Sequence, residues 1–439
     1  MLIVENIWWV LVLIGVMIMI HELGHYWAAR YFDVRVEAFS FGFGPRLFGF
    51  RKGETDFRVS LILFGGYVKM AGEQVGDDMA SDPRSFLAKP RWQRLIIAFA
   101  GPFMNIILAV AILTGLFMVK YPKMPELGLP GVLGMVLPNS AAAKAGLGEG
   151  DRIIGVNGKM NPSWEDILLE EIASANQSMR IVYVRGGETR ETNVTPELDD
   201  RNGIGTAGWA EQAEIQIGGV EKGMDAERQG LQRGDILQTV NGQLIRSTYR
   251  LREIIKASQG KPVEVAFTRD GQEKTATVTP SIREVEGQKS WMIGVRLEPR
   301  VIYTALNFPD ALKESVRQNA KSAGLIYQFL HGIIQQRMSP KSLEGPIRIA
   351  QLSGDAAREG PSAFLGLMAM VSLNLAIFNL LPIPILDGGV IALLLFEMLI
   401  RKDLSLNVKE AVMKFGFVFL MMVVVFVLYN DISKIILKG

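Results

Sequence analysis

Residues 95–119 run for 25 positions without a charged side chain, and residues 363–386 do so for 24. No other feature limits the fold so strongly. Two further apolar stretches join them. Ile7–Ile20 leads into the pentapeptide HELGH and on to about Ala29. Ala411–Tyr429 holds one charge, Lys414, near its start, where a lysine can reach back to water. A helix rising about 1.5 Å per residue needs roughly 20 residues to cross a hydrocarbon core of ~30 Å. Four spans are therefore expected. The first is read as a span rather than a cleaved leader, because no basic residue precedes it and no small-residue cleavage site follows.

Basic residues orient the spans. Arg30, Arg35, Arg46, Arg51, Lys52 and Arg58 follow the first run, and Arg84, Lys89, Arg91 and Arg94 precede the second. Arg401, Lys402 and Lys409 lie in the short loop between the third and fourth. Basic loops stay cytoplasmic, so both termini and the middle segment, about 121–360, are expected outside. In a Gram-negative cell that is the periplasm. A net charge of only +2 argues against a nucleic-acid partner. The absence of cysteine removes disulfides and thiolate metal sites.

The middle segment repeats itself. AGLGEGDRIIGVNG (145–158) recurs as QGLQRGDILQTVNG (229–242), 84 residues on. A repeat at domain spacing means two copies of one module. Each copy reads as a short helix, a Gly-bounded turn, a strand and an Asn-Gly turn. The pattern resembles the PDZ family in its bacterial protease-associated branch. That resemblance implies a groove that takes peptide C-termini or extended chains by strand addition, or one that excludes bulky partners; a spacer that binds nothing is the alternative. Pro309–Met338 then reads as an amphipathic stretch able to lie on a lipid surface. His331 falls in it and is read as a surface residue.

HELGH is H-E-x-x-H. On a helix His21 and His25 share one face and can converge on Zn²⁺, while Glu22 can reach a metal-bound water as general base. Ionisable side chains inside a span are costly and usually functional. Catalytic zinc commonly takes three protein ligands and leaves one position open. His21 lies about 15 residues into the first span, roughly 22 Å deep. The third span runs the same way and ends in NLLPIPILDGG (379–389), where Pro382 and Pro384 should break the helix. Asp387 is the first charge after that long run and is the expected third ligand; a helix-capping role is the alternative. Glu397 is a weaker candidate. Segment 36–70 alternates apolar and polar residues like strands, and a free strand edge there could hold an unwound chain by main-chain hydrogen bonds.

HELGH in the first span, NLLPIPILDGG in a later one and the repeated modules between them resemble the site-2 protease family of intramembrane zinc metalloproteases. The resemblance covers nearly the whole chain, including GFGP (42–45), FGGYVKMAGE (64–73), GPFMN (101–105) and LEGPIRIA (343–350). Val390 departs from the His or Arg that many members carry after D-G-G. The resemblance implies one zinc per chain on His21, His25 and Asp387, with Glu22 activating water. It implies that Asn374 and Asn379 face the substrate, although buried asparagines also pack helices. It further implies that the FGFGP and FGGYVKM segments, with Gly65, Gly66 and Tyr67, form a substrate-binding β-hairpin dipping into the membrane.

The expected fold class is thus a polytopic α-helical membrane protein with four transmembrane helices, a membrane-dipping β-element and two α+β PDZ domains. The plan is a first span at 1–30 and a cytoplasmic-side segment with the hairpin at 31–94. A second span follows at 95–120, then modules at 121–206 and 207–298 and surface helices at 299–360. The third span is 361–400, a cytoplasmic loop 401–410, the fourth span 411–431 and an outer tail 432–439. The expected function is hydrolysis of a peptide bond in a single-span membrane protein near the cytoplasmic face. The substrate class implied is an anti-sigma factor already trimmed outside, with remnant signal peptides as a second class. The competing reading is a membrane-anchored PDZ adaptor with a structural metal; that site would want four ligands, often cysteines. A transporter would want broken helices in both halves, and only the third span is broken.

Overall fold

The computed structural model describes residues 2–73, 82–123, 131–199, 204–285, 288–300, 302–335 and 345–436. The chain divides into two compact units. One holds residues 1–121, 305–327 and 343–439, and the other holds 122–304 and 328–342. Among the described residues four helices are long and apolar enough to cross a membrane.

The helical unit begins with α1 (Leu2–Tyr31), which contains the H-E-x-x-H motif. Strands β1 (Val36–Lys52) and β2 (Thr55–Met70) follow, then α2 (Arg91–Val119). The strand pair is folded on itself. Ala38–Phe41 pairs with Gly66–Lys69 and also with Asp56–Val59, while Arg46–Lys52 pairs with Thr55–Ser60. Gly66–Met70 is therefore one edge. It lies against α1, because a Cβ on Gly66 would stand 2.8 Å from Ile18 Cγ2 and 3.2 Å from Glu22 Cγ.

In the second unit each repeat carries one short helix and one longer one: α3 (Ala141–Lys144) and α4 (Trp164–Ala173), then α5 (Asp225–Arg228) and α6 (Thr248–Ala257). The first repeat orders its sheet as 159–160, 152–156, 179–185, 188–194. The second orders 272–278, 263–269, 236–240, 215–220, 295–299. The shared G-L-x-x-G-D motif has a structural reason. Asp151 accepts the Gly148 amide at 2.8 Å and a two-pronged pair from Arg185 at 2.7 and 2.6 Å. Asp235 does the same with the Gln232 amide at 2.8 Å and Arg269 at 2.6 and 2.7 Å. Each arginine also donates to a turn carbonyl, Gly146 or Gly230. The Asn-Gly turns match too: Asn157 and Asn241 take φ of 47° and 49°, a left-handed conformation that asparagine tolerates.

The chain then forms α7 (Phe308–Ile334) and α8 (Pro346–Glu359). The amphipathic stretch expected to reach Met338 is helical as far as Ile334; Met338 lies outside the described residues. Helices α9 (Pro361–Asn379), α10 (Asp387–Ile400) and α11 (Leu406–Ile436) complete the helical unit. Asp431 of α11 caps α8 by accepting the amides of Gly345, Ile347 and Arg348 at 2.9, 3.1 and 3.3 Å. A Cβ on Gly345 would collide with that carboxylate, which accounts for the glycine in G-P-I-R. Leu13 and Met17 of α1 pack on Phe364 and Met368 of α9, and Ala109 of α2 packs on Ala369 and Leu373. Against lipid such contacts gain van der Waals packing rather than hydrophobic burial, so polar contacts weigh more in placing the helices.

The break foreseen at Pro382 and Pro384 is present: α9 stops at Asn379 and α10 starts at Asp387. Between them Ile385 holds φ at 85°, a strained value for a β-branched residue. The loop folds back tightly on the start of α10. A Cβ on Gly388 would collide with the Leu381 carbonyl, and one on Gly389 with the Ile383 carbonyl. Gly416 of α11 makes room for Pro384 in the same way.

The duplicated Asp–Arg lock yields a prediction. Asp151 and Asp235 are each 1% exposed, and replacing either leaves a turn amide, Gly148 or Gln232, without its acceptor, while the arginine, 39% or 20% exposed, can turn to water. Asp151→Ala and Asp235→Ala should each destabilise their own repeat by about 1–2 kcal/mol. Urea titration of the full chain in detergent, read by proteolysis within each repeat, checks this; unchanged midpoints would show that the lock is not structural.

Candidate metal centre

His21 and His25 lie one turn apart on α1 and point to the same side, with their Nε2 atoms 3.2 Å apart. Asp387 opens α10 and places Oδ2 at 3.1 Å from His21 Nε2 and Oδ1 at 3.4 Å from His25 Nε2. The three ligand atoms lie within 4.8 Å of one another. Among the described residues no second group of three such side chains occurs.

The donor set fits a zinc ion. His25 Nδ1 lies 2.8 Å from the Ile97 carbonyl, to which it donates, so its free lone pair sits on Nε2 and points into the cluster. The Nε2 atoms of both histidines and the two carboxylate oxygens gather at 3.1–3.4 Å, a set that a cation among them would hold together. Two nitrogens and one carboxylate suit zinc and leave one coordination position open.

Helix α2 makes the convergence possible by coming very close. A Cβ on Gly24 would collide with the Ala100 carbonyl, so the glycine inside HELGH is the contact point. Opposite it, a Cβ on Gly101 would collide with His25 Nε2 and stand 2.8 Å from His21 Nε2. Pro102 follows within the helix. Its missing N–H leaves the Ala98 carbonyl without its usual helical donor.

Glu22 is half-buried and lines the same cavity of roughly 620 Å³ as His21, His25 and Asp387. Tyr67 and Asn379 also line it. The Tyr67 ring stacks on Phe43 at 6.0 Å. Gly65 holds φ at 137°, and a Cβ there would collide with the Phe43 ring. Asn379 ends α9 with Nδ2 at 3.5 Å from His21 Nε2. Asn374, five positions earlier on α9, does not line the cavity.

Glu397 is fully buried but does not join the cluster. Its Oε1 accepts the Leu404 amide at 2.8 Å and the Lys409 ammonium at 2.7 Å, tying α10 to the following loop and α11. At that end of the unit Asp403 also accepts from Arg91 at 3.0 Å and Arg94 at 3.3 Å, so the two basic segments lie together. His331 lies in α7 beside Gln335. Sequence reasoning missed Gly101 and Asn105 as parts of the site. Two signals were present: both residues lie in the GPFMN segment that the resemblance includes, and Asn105 is a polar residue inside a charge-free run.

A glutamate beside two converging histidines in an apolar helix, with a carboxylate brought in by a broken one, defines a metallopeptidase embedded in membrane-spanning helices. The sequence pattern of peptidase family M50 matches residues 9–423, and the chain belongs to that family. It is 30% identical over 449 residues to the regulator of sigma-E protease RseP of Salmonella typhimurium, covering 97% of this chain and 98% of that one. It is 31% identical over 454 residues to protease RseP of Yersinia pestis, covering 97% and 98%. A Vibrio cholerae relative that bears a zinc-metalloprotease name is 30% identical over 450 residues, again covering 97% and 98%. The protein is a zinc metalloprotease and a membrane protein.

The glycine at the contact of α1 and α2 can be tested directly. Gly101→Ala should weaken zinc binding by about tenfold or more, because the methyl group displaces His25 Nε2. Chelator competition on the detergent-solubilised chain measures it; native affinity in the variant would show that the approach of α2 does not shape the site.

Proposed function

We propose that this chain hydrolyses a peptide bond within the membrane in single-span proteins, close to the cytoplasmic face, after an outer cut has shortened them. The observation that carries this is the meeting of His21, His25 and Asp387 beside Glu22 inside helices long enough to span a bilayer. In this reading His21, His25 and Asp387 hold one zinc per chain. Zinc supplies Lewis acidity, which makes water nucleophilic near neutral pH and polarises the scissile carbonyl. Glu22 takes the proton from the attacking water and delivers it to the leaving nitrogen. Asn379 and the edge Gly66–Met70 pair the backbone groups that a substrate helix frees on unwinding, with Tyr67 against the bound chain. Asn374 then serves further along α9.

The relatives named for sigma-E regulation support an anti-sigma factor as the substrate class; remnant signal peptides are a second class that this reading includes on chemistry alone. The basic segments lying together at one end support a cytoplasmic placement of that end, in the inner membrane of a bacterium. Both termini and the repeated unit then lie outside, the strand pair dips into the membrane, and α7 and α8 rest near its outer surface. The two repeats act as PDZ domains, 121–206 and 207–298, taking extended chains or turning away bulky ones. The adaptor reading is disfavoured because the cluster holds three donors among the described residues, not four.

Native chain and Glu22→Gln, purified in detergent, test the proposal with a tagged single-span helix bearing a short outer stub. Both should hold about one zinc, and Glu22→Gln should cleave some 10²–10⁴-fold more slowly. Chelation should abolish cleavage by the native chain, and zinc should restore it. Equal rates in the two proteins would overturn the role of Glu22; zinc in both without cleavage in either would overturn the substrate class.

A further inference from the structure

Both histidines of the proposed centre are addressed from one face of α2. Ile97, Gly101 and Asn105 follow at intervals of four and so lie above one another on the helix. Ile97 accepts the Nδ1 proton of His25, and Gly101 clears space for both Nε2 atoms. Asn105, two turns beyond Ile97, sits against the other histidine: its Nδ2 is 3.4 Å from His21 Nδ1. The residue is wholly buried, at 0% exposure. Its backbone carbonyl accepts Ser372 Oγ from α9 at 2.9 Å, which fixes its position along the bundle. Its side-chain carbonyl, Oδ1, has no hydrogen-bond partner.

The proton count at His21 decides how this amide is used. A histidine that binds a metal through Nε2 carries its proton on Nδ1 and needs an acceptor there. Asn105 is the hydrogen-bonding side chain that reaches His21 Nδ1 among the described residues. Left with Nδ2 towards that atom, it would set a donor against a donor. Nitrogen and oxygen of a carboxamide exchange places by half a turn of the side chain, and the hydrogen-bond network assigns them. The unused Oδ1 is the acceptor that His21 lacks. Turned that way, it does for His21 what the Ile97 carbonyl does for His25.

We propose that Asn105 is a positioning residue whose side-chain carbonyl accepts the Nδ1 proton of His21 and holds that imidazole as an Nε2 ligand. The proposal rests on the reading of His21, His25 and Asp387 as the zinc centre. The two helices thereby share one device, a carbonyl of α2 behind each ligand of α1, one from the backbone and one from a side chain. The bland competitor is that Asn105 merely joins helices, as buried asparagines do.

Zinc affinity separates the two. The full chain in detergent is titrated against a zinc chelator as native protein, Asn105→Asp, Asn105→Leu and His21→Ala, with thermal unfolding of each metal-free form. Asn105→Asp keeps the acceptor and the shape but loses the donor, so it should bind zinc at least as tightly as native. Asn105→Leu keeps the bulk without either and should bind about 10–100-fold more weakly. Native affinity in Asn105→Leu would overturn the proposal, as would Asn105→Asp binding as weakly as Asn105→Leu, since the amide would then act as a donor. If Asn105→Leu does not fold, native against Asn105→Asp still decides. A packing role alone would lower the metal-free melting temperature and leave zinc affinity unchanged. Should His21→Ala bind zinc like native, the metal-centre reading itself fails, and separately from this one.

Discussion

The close approach of α1 and α2 at Gly24 and Gly101 is the contact on which the rest of the helical unit depends. Imidazoles and carboxylates inside apolar helices are costly unless each polar atom finds a partner. Those partners come from other helices: Ile97 O and Asn105 from α2, Asp387 from α10, Asn379 from α9. Any side chain at either glycine would push α2 away and strand His25. The cluster is therefore a large part of the reason these helices stand where they do.

Breaking the third span solves a second problem. A carboxylate in the middle of a continuous helix would leave no irregular backbone near the two histidines and no end dipole to favour its charge. Stopping at Asn379 and restarting at Asp387 puts the acid at a helix N-terminus, where the dipole stabilises an anion. The strained Ile385 and the glycines at 388, 389 and 416 are what the tight return of the loop demands. Strain and close packing hold Asp387 at a fixed distance from α1, which a flexible loop could not do.

The repeated unit obeys ordinary soluble-protein physics. Its duplicated Asp–Arg locks and Asn-Gly turns recur at the 84-residue period with nearly the same distances, so the duplication is one of hydrogen bonds as well as letters. In the helical unit, by contrast, buried polar contacts select which apolar faces meet, because apolar surface alone does not distinguish a neighbouring helix from lipid.

Much of this was legible beforehand because the signals are local. Charge-free runs mark spans, Pro382 and Pro384 mark a break, and a spacing of four puts His21 and His25 on one face. Asp387 is the carboxylate the sequence favours, and Glu397 the weaker candidate. Glu397 lies further along the same helix, and packing shows it taken up by Lys409. Gly101 and Asn105 carry no charge, and their partners lie far along the chain: His25 to Ile97 spans 72 residues and His21 to Asn105 spans 84. Run length, period and helix breaking depend on a few neighbours, so the sequence by itself determined the spans, the repeats and the shared face of the two histidines. Which side chains close the site was decided by the tertiary structure, because the distance and direction between separate segments are set by how the helices pack and are not written in any local pattern.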